Sequence, residues 1–420
     1  MHTTEASVEQ LKNLYKELEW EMHRNILPFW MNQAVDLEDG GFLGQITYYG
    51  TAVNNSKKGS VLNARILWTF SAAYNLTGRP EYLDYARRAY SYFSENFIDK
   101  QNGGCVWSVT AKGEIANGRK QIYAQAFAIY ALSEFYLADG DKEAIFQAID
   151  IYNLIEKHAF DAVNNGYIEA LSQTWQPLAD LRLSEKDANE PKSMNTHLHL
   201  LEAYTRLFSI WKDDDLGNKL FNLIKIHTEK IFSDANGHFN LFFDMEWGVK
   251  SKHYSFGHDI EGAWLIMEAT RVLGINKVVE NAEQLAVRMA NVTLQEGIAA
   301  DGSLYNEGEA GVVTDTDRHW WPQAEAIVGF INAFEISGND KFIHAASRVW
   351  DFIKSHLQHP SGEWWWLVNN EYQPDQSQDL AGEWKCPYHN TRCCIEAMKR
   401  ISRYSANNHP ELLNSLSEKN

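Results

Sequence analysis

The chain is punctuated by six glycine turns, at Gly41, Gly104, Gly166, Gly237, Gly302 and Gly362, spaced roughly 60 to 70 residues apart. Each sits in tight-turn company: Asp39-Gly40-Gly41-Phe42, Asn102-Gly103-Gly104, Asn164-Asn165-Gly166-Tyr167, Asp234-Ala235-Asn236-Gly237, Asp301-Gly302 and Ser361-Gly362-Glu363-Trp364. A repeat of that length holds two helices and their connections, so it constrains the architecture before any single element does.

Helical periodicity recurs twelve times, over about 8–30, 61–77, 80–97, 120–138, 141–158, 193–212, 215–232, 258–273, 276–293, 319–337, 340–357 and 388–405. The connections alternate in kind. Thr77-Gly78-Arg79-Pro80, Asp139-Gly140-Asp141 and Ser337-Gly338-Asn339-Asp340 are short turns between antiparallel helices, and Asp213-Asp214-Asp215 reads as another surface turn. The remaining connections are long and carry the glycines. Apolar and polar residues alternate in them from Phe42 to Tyr49, Tyr167 to Trp175, Phe239 to Asp244 and Glu363 to Val368, the pattern of small hairpins. The expected fold is all-α: an (α/α)6 toroid of six helical hairpins, with short β-hairpins in the long loops of one rim and residues 1–420 forming a single domain. An open helical solenoid would show the same period, but polar groups converging in phase favour the closed ring. Chemistry belongs on the long-loop rim.

With 56 acidic and 38 basic side chains the net charge is −18, which repels phosphate backbones and anionic lipid. Nucleic-acid and membrane partners are therefore not expected. Met1-His2-Thr3-Thr4-Glu5 has no basic, apolar leader pattern, and no run approaches the ~20 apolar residues of a membrane span. The expectation is a soluble cytoplasmic protein, a monomer or weak homodimer. Cys105, Cys386, Cys393 and Cys394 lack framework spacing and read as free thiols. Many of the 15 tryptophans lie in loops, around Trp320-Trp321, Trp364 to Trp366 and Trp384, which suggests a stacking surface for a sugar.

The second helix of each repeat brings one unusual residue in at a comparable distance from its glycine: Arg65, Tyr123, His199, His258, Trp321 and His389. In a closed ring these would face one another across the mouth of a cavity. In Ser255-Phe256-Gly257-His258-Asp259-Ile260-Glu261-Gly262, His258 and Glu261 lie three apart on one helix face, so Glu261 can bond the histidine ring or reach the same ligand. Histidine suits proton transfer at neutral pH, although Asp259 and its neighbours could equally be a helix-capping cluster. Trp384-Lys385-Cys386-Pro387-Tyr388-His389-Asn390-Thr391-Arg392 repeats the loop-to-helix entry of a histidine, with Pro387 restricting Cys386 and Arg392 on the face of His389. In Met194-Asn195-Thr196-His197-Leu198-His199-Leu200, His197 and His199 point apart on a helix and are poorly placed to chelate a metal. Asn195 and His199 share a face and suit hydrogen bonding. Arg65, in an apolar helix, faces either the cavity or a core carboxylate. Trp321 and Glu325 share a face that could stack a sugar and hold its hydroxyls, and Asp187 in the loop Leu181 to Lys192 is a further polar candidate.

These motifs resemble the N-acylglucosamine 2-epimerase superfamily of (α/α)6 sugar epimerases and isomerases, and within it the cellobiose 2-epimerase branch. The resemblance spans essentially the whole chain and rests on Asn-Thr-His-Leu-His-Leu-Leu-Glu-Ala-Tyr from Asn195, Ser-Phe-Gly-His-Asp-Ile-Glu from Ser255, Trp-Trp-Pro-Gln-Ala-Glu from Trp320 and Trp-Lys-Cys-Pro-Tyr-His-Asn from Trp384. It implies inversion of C2 in the reducing-end glucose of a β-1,4-linked disaccharide such as cellobiose or lactose, with no metal or other cofactor. His258 and His389 would be the acid/base pair, Arg65, His199 and Glu261 would bind and polarise the open-chain sugar, and Trp321 and Trp384 would stack. Tyr123, Asp187, Asn195, Glu325 and Arg392 complete the expected substrate-binding set. Rival readings are a mannose isomerase, an N-acylglucosamine 2-epimerase and, from another class, an inverting glycoside hydrolase using carboxylates such as Glu261, Glu325 and Asp187.

Overall fold

A computed structural model describes residues 4–409. Its helices, numbered in chain order, are α1 (Glu5–Glu21, continuing through a π-turn at Met22–Ile26 into Leu27–Asn32), α2 (Ser60–Thr77), α3 (Pro80–Asn96), α4 (Ile122–Asp139), α5 (Lys142–His158), α6 (Met194–Ile210), α7 (Asp214–Ile226), α8 (Phe256–Leu273), α9 (Asn276–Val292), α10 (Trp320–Ser337), α11 (Lys341–Phe352) and α12 (Tyr388–Asn408). The even-numbered helices are buried nearly all round, as in α2, where every residue from Ser60 to Ala73 is buried. The odd-numbered ones are amphipathic, as in α3, where burial is confined to Tyr82, Ala86, Ala89, Tyr92 and Phe93. The even helices pack in cyclic order from α2 through α4, α6, α8, α10 and α12 back to α2, so the ring is closed. Its sixth hairpin is completed by α1, which packs on α12 and α11.

The two rims differ as the turn chemistry requires. Gly78, Gly140, Gly274 and Gly338 cap inner helices in the left-handed conformation and make the short turns. All six repeat glycines, on the other rim, also have positive φ, from 61° at Gly41 to 98° at Gly362. Two of the long loops carry the expected local hairpins, Ser108–Val109 with Ile115–Asn117 and Glu307–Glu309 with Val312–Asp315, and others close on single bridges such as Leu171 to Pro177 and Phe243 to Val249. Further ladders run between successive repeats: Lys58–Gly59 with Ser108–Val109, Lys120–Gln121 with Ala170–Leu171, Lys192–Ser193 with Phe242–Phe243, His253–Ser255 with Glu307–Glu309, and Arg318–His319 with Leu367–Val368. The bridge Ile46 to Ala381 closes this circle. Pairing across repeats satisfies backbone that a hairpin of a few residues would leave open.

A cation buried just before an inner helix anchors five of the six glycine turns. Lys58 pairs with Asp36 at 2.7 Å, Lys120 with Asp99 at 2.8 Å, Lys192 with Asp161 at 2.8 Å, Arg318 with Asp301 at 3.3 Å and Lys385 with Glu363 at 2.6 Å. The lysine hydrogen bond and the backbone amides of the turn hold Asp161 below the usual carboxylate range against the opposing effect of burial. Its contribution to stability is therefore present at neutral pH and lost as pH falls through its folded value. Lys192→Met is expected to cost about 3 kcal/mol at pH 7, because it strands a buried carboxylate. Denaturant midpoints should show that deficit shrinking in acid; equal midpoints at pH 7 would refute the anchoring role.

Among the described residues no helix is long and apolar enough to cross a membrane. All four cysteines are buried and unpaired.

Candidate active site

The site forms where the inner helices begin, on the long-loop rim, and it has two depths. Tyr123, Asn195, Trp321 and His389 each follow the first residue of α4, α6, α10 and α12, and His258 lies one residue further into α8. One turn deeper, roughly 5 to 6 Å along each axis, come Phe127, His199 and Glu325, each four residues on, Glu261, three residues after His258, and Arg65 at the matching depth of α2. Distances counted from the glycines blurred these layers because the intervening loops differ in length.

In the upper layer the Trp321 indole contacts two histidines, with ring centroids 4.6 Å from His258 and 5.7 Å from His389. The His389 Nδ1–H donates to Glu325 Oε1 at 2.7 Å, whereas His258 Nδ1 is buried without a partner. Burial, assisted by the His199 charge, pulls His258 down to about 3. Burial, with the Arg65 and Arg392 cations nearby, pulls His389 well below the ordinary histidine value. Both rings are therefore neutral at pH 7 and available as bases. Trp384, half-buried, extends the aromatic wall, 5.9 Å from Trp107 and 6.1 Å from Tyr123.

Arg65 is 3% exposed. It donates from Nη2 to Tyr123 Oη at 2.7 Å, and its guanidinium carbon sits 4.2 Å from the Phe127 ring centroid and 4.8 Å from that of Tyr388. Aromatic faces and a phenol, rather than a core carboxylate, accommodate the charge. The Tyr123 hydroxyl, having accepted from Arg65, keeps its own proton to donate. His199 Nδ1–H donates to Glu202 Oε2 at 2.9 Å, and the His199 ring packs on Tyr123 and Phe127 at 4.9 and 4.6 Å.

Beneath both layers Arg392, fully buried, donates to Glu202, Glu261, Glu325 and the Tyr388 hydroxyl. Glu325 also accepts from Trp264 Nε1 at 3.0 Å. Burial and the neighbouring Glu325 charge raise Glu261 to about 7, with Arg392 opposing. Glu202, drawn down chiefly by Arg392 and then by the His199 hydrogen bond, goes to about 2 despite its burial. Ligand atoms of Glu261, Glu325 and His389 lie within 4.8 Å of one another, a spacing a divalent cation would also accept. In this chain the positive charge facing both carboxylates is the Arg392 guanidinium.

The structure brings Arg65, Tyr123, His199, His258, Trp321, Trp384 and His389 together as expected, and it corrects the expectation elsewhere. Arg392 and Glu325 are fully buried beneath the upper layer and bond each other and neighbouring side chains, with Arg392 Nε left without a partner. Glu261 bonds Arg392, not His258. Asn195 makes no bond to His199, whose Nδ1 is taken by Glu202; the Asn195 carbonyl oxygen is buried without a partner. Asp187 accepts from Ser184 N at 2.8 Å and shares a side pocket with Asn195 and the buried Glu169, away from the histidines. His197 turns outward, accepting the Tyr167 N–H at 2.9 Å behind Gly166. Glu202, Tyr388 and Phe127 were missed. The spacing of Glu202 three residues after His199 is the same relation that singled out Glu261.

Residues 41–393 match the N-acylglucosamine 2-epimerase (GlcNAc 2-epimerase) family. The chain belongs to that family. A cellobiose 2-epimerase of Bacteroides fragilis is 46% identical over 92% of this chain and 98% of its own length. The solved structure of cellobiose 2-epimerase from Bacillus thermoamylovorans B4167 shares 38% identity, covers 92% of this chain and 99% of its own, and has a TM-score of 0.89. A family 76 α-mannanase structure from Bacteroides thetaiotaomicron, at 10% identity, 94% and 97% coverage and a TM-score of 0.62, shares the fold alone. This member of the epimerase family is an isomerase, a sugar 2-epimerase.

Proposed function

We propose that the chain, acting as one catalytic domain, interconverts glucose and mannose at the reducing end of β-1,4-linked disaccharides, with cellobiose and lactose as representative substrates, and needs no metal or nucleotide. The observation that carries this reading is the pair of neutral histidines, His258 and His389, both in ring contact with Trp321. The sugar must first open, because the C2 proton becomes acidic only beside a C1 carbonyl. One neutral histidine takes that proton, the C2–H electrons form the C1–C2 double bond, and negative charge moves to O1. Arg65, Tyr123 and His199 are the donors available to meet it. The other histidine, also neutral at rest, takes up a proton from solvent as the negative enediolate forms beside it and delivers it to C2 on the opposite face, while the first releases its proton to solvent, which completes inversion. His389 is assigned to the gluco epimer because Glu325 backs it at 2.7 Å, which strengthens it as a base, while His258 has no such partner.

The disaccharide preference is supported by Trp384 and Trp107, two half-buried indoles tilted 50° to each other that each offer a stacking face, and by relatives named for cellobiose. Trp384→Ala is expected to raise KM for cellobiose about tenfold, the scale of one lost stacking contact, while leaving kcat within a factor of about three. Unchanged KM would remove Trp384 from the second-sugar site. Four buried, unpaired thiols support a cytoplasmic location.

The deciding experiment is incubation with cellobiose, lactose and mannose in heavy water, followed by NMR. C2-epimerised disaccharide carrying deuterium at C2 supports the proposal. Fructose from mannose as the dominant product would replace it with a mannose isomerase, and released glucose with a hydrolase.

A further inference from the structure

Two histidines of the site each rest on a carboxylate, and the two carboxylates share one guanidinium. His199 Nδ1 bonds Glu202 Oε2 at 2.9 Å and His389 Nδ1 bonds Glu325 Oε1 at 2.7 Å. Arg392 donates to both glutamates, so an unbroken chain of contacts runs His199, Glu202, Arg392, Glu325, His389 across the floor, from α6 through α12 to α10 and back to α12. The two ends are not equivalent. Glu325 divides itself among Arg392, Trp264 and His389. Glu202 gives Oε1 to Arg392 and the Tyr388 hydroxyl, at 2.6 Å for the latter, and reserves Oε2 for His199. Glu202 is also the carboxylate that its surroundings keep ionised, whereas burial raises Glu325.

We propose that Glu202 is a positioning residue that holds His199 with its Nδ1–H pointing into the protein and stabilises it as the proton donor of the site, in contrast to His389, which its own carboxylate leaves as a base. A carboxylate fixed behind one ring nitrogen sets the tautomer and the orientation of the other nitrogen. An ionised carboxylate dedicated to that ring favours its protonated form. His199 would then present an Nε2–H towards the charge developing on O1, while His389 presents a lone pair towards C2. Separate environments for chemically identical groups are how one site runs acid and base roles at a single pH. Arg392 has the part of keeping Glu202 charged so that this division persists.

The inference rests on the epimerase reading, and its test includes a readout independent of turnover. Histidine labelled with ¹⁵N in the full chain, with the His199 signal assigned through His199→Asn, reports tautomer and protonation without sugar. In the wild-type protein His199 is expected to carry hydrogen at Nδ1, and in Glu202→Gln that signature should change, because an amide can either accept from or donate to the ring. The same variant should lower kcat for disaccharide epimerisation about 10- to 100-fold, the usual effect of losing a group that orients a functional histidine, with KM within about threefold and the His389 signal unmoved. Should Glu202→Gln fail to fold, Glu202→Asp keeps the charge on Arg392 but withdraws it from His199, and the same loss of the His199 signature is expected. An unaltered His199 signal in the folded variant, or an unaltered kcat, overturns the proposal. Absence of epimerisation in the wild type with the His199 signature intact would count against the epimerase reading and leave the tautomer assignment standing.

Discussion

His389→Asn is expected to abolish epimerisation of either epimer while still exchanging the C2 hydrogen of the manno epimer with solvent. Two-base inversion needs one group on each face of C2. Removing the group on one face costs the general-base contribution, about 10²–10⁴-fold, in both directions. The remaining histidine can still remove and return the proton on its own face. With His389 serving the gluco epimer, His389→Asn in heavy water should deuterate only the manno epimer and His258→Asn only the gluco epimer. Asparagine keeps an N–H for Glu325, and His389 is neutral, so neither the buried hydrogen bond nor the charge balance of the floor is disturbed. Following C2–H by NMR in both variants reads the assignment directly. Exchange of both epimers by either variant would show that one base serves both faces. Because both rings titrate below the ordinary histidine value, the acid limb of kcat/KM in the wild type should lie below about pH 6 rather than at 6.5.

Much of this site was legible because periodicity and turn chemistry are local properties. The six glycines adopt positive φ, the helices fall where the apolar pattern repeats, and the residues heading the inner helices meet. Depth was not legible. Helix spacing says that Trp321 and Glu325 share a face, yet four residues separate a side chain lining the cavity from one sealed below it, and only the neighbouring helices decide which is which. The same blindness hid the partners of Arg392, whose three carboxylates come from α6, α8 and α10. Nothing near the turn-anchoring Lys58, Lys120, Lys192, Arg318 and Lys385 in sequence reveals that an aspartate or glutamate roughly 20 to 30 residues earlier meets them in a dry interior. The π-turns inside α1 (Met22–Ile26), after α7 (His227–Ile231) and after α11 (Ile353–Leu357) fall within stretches whose pattern reads as plain helix, because a single widened turn barely alters the apolar period.

Arg392→Met should cost about 3–5 kcal/mol of stability, a larger deficit than substitution at any of the histidines, because it leaves Glu202, Glu261 and Glu325 buried with no cation among them. The sign of the pH dependence follows from the same charges. In the wild type Arg392 opposes the burial and mutual repulsion that raise Glu261. Without it the folded-state values of Glu261 and Glu325, already raised, climb further above the unfolded value near 4.3, and that of Glu202, which Arg392 holds down, is driven up by its burial. Groups raised in this way add stability that is fully present below the unfolded value and is lost as pH climbs through the folded one. The deficit of the variant is thus expected to be worst at pH 8 and partly relieved at pH 5.5, where protonated carboxyls can hydrogen-bond one another. Urea midpoints at the two pH values measure it. A deficit that is equal at both, or below about 1 kcal/mol, would mean that the carboxylates are already neutral in the wild type and that Arg392 does not set their charge. Arg392→Lys separates charge from geometry: one ammonium restores the positive charge but not the planar fork that reaches carboxylates from three helices. It should recover most of the stability at pH 8 and little of the activity, because His199 and His389 would keep a charged floor while losing the fixed positions of Glu202 and Glu325.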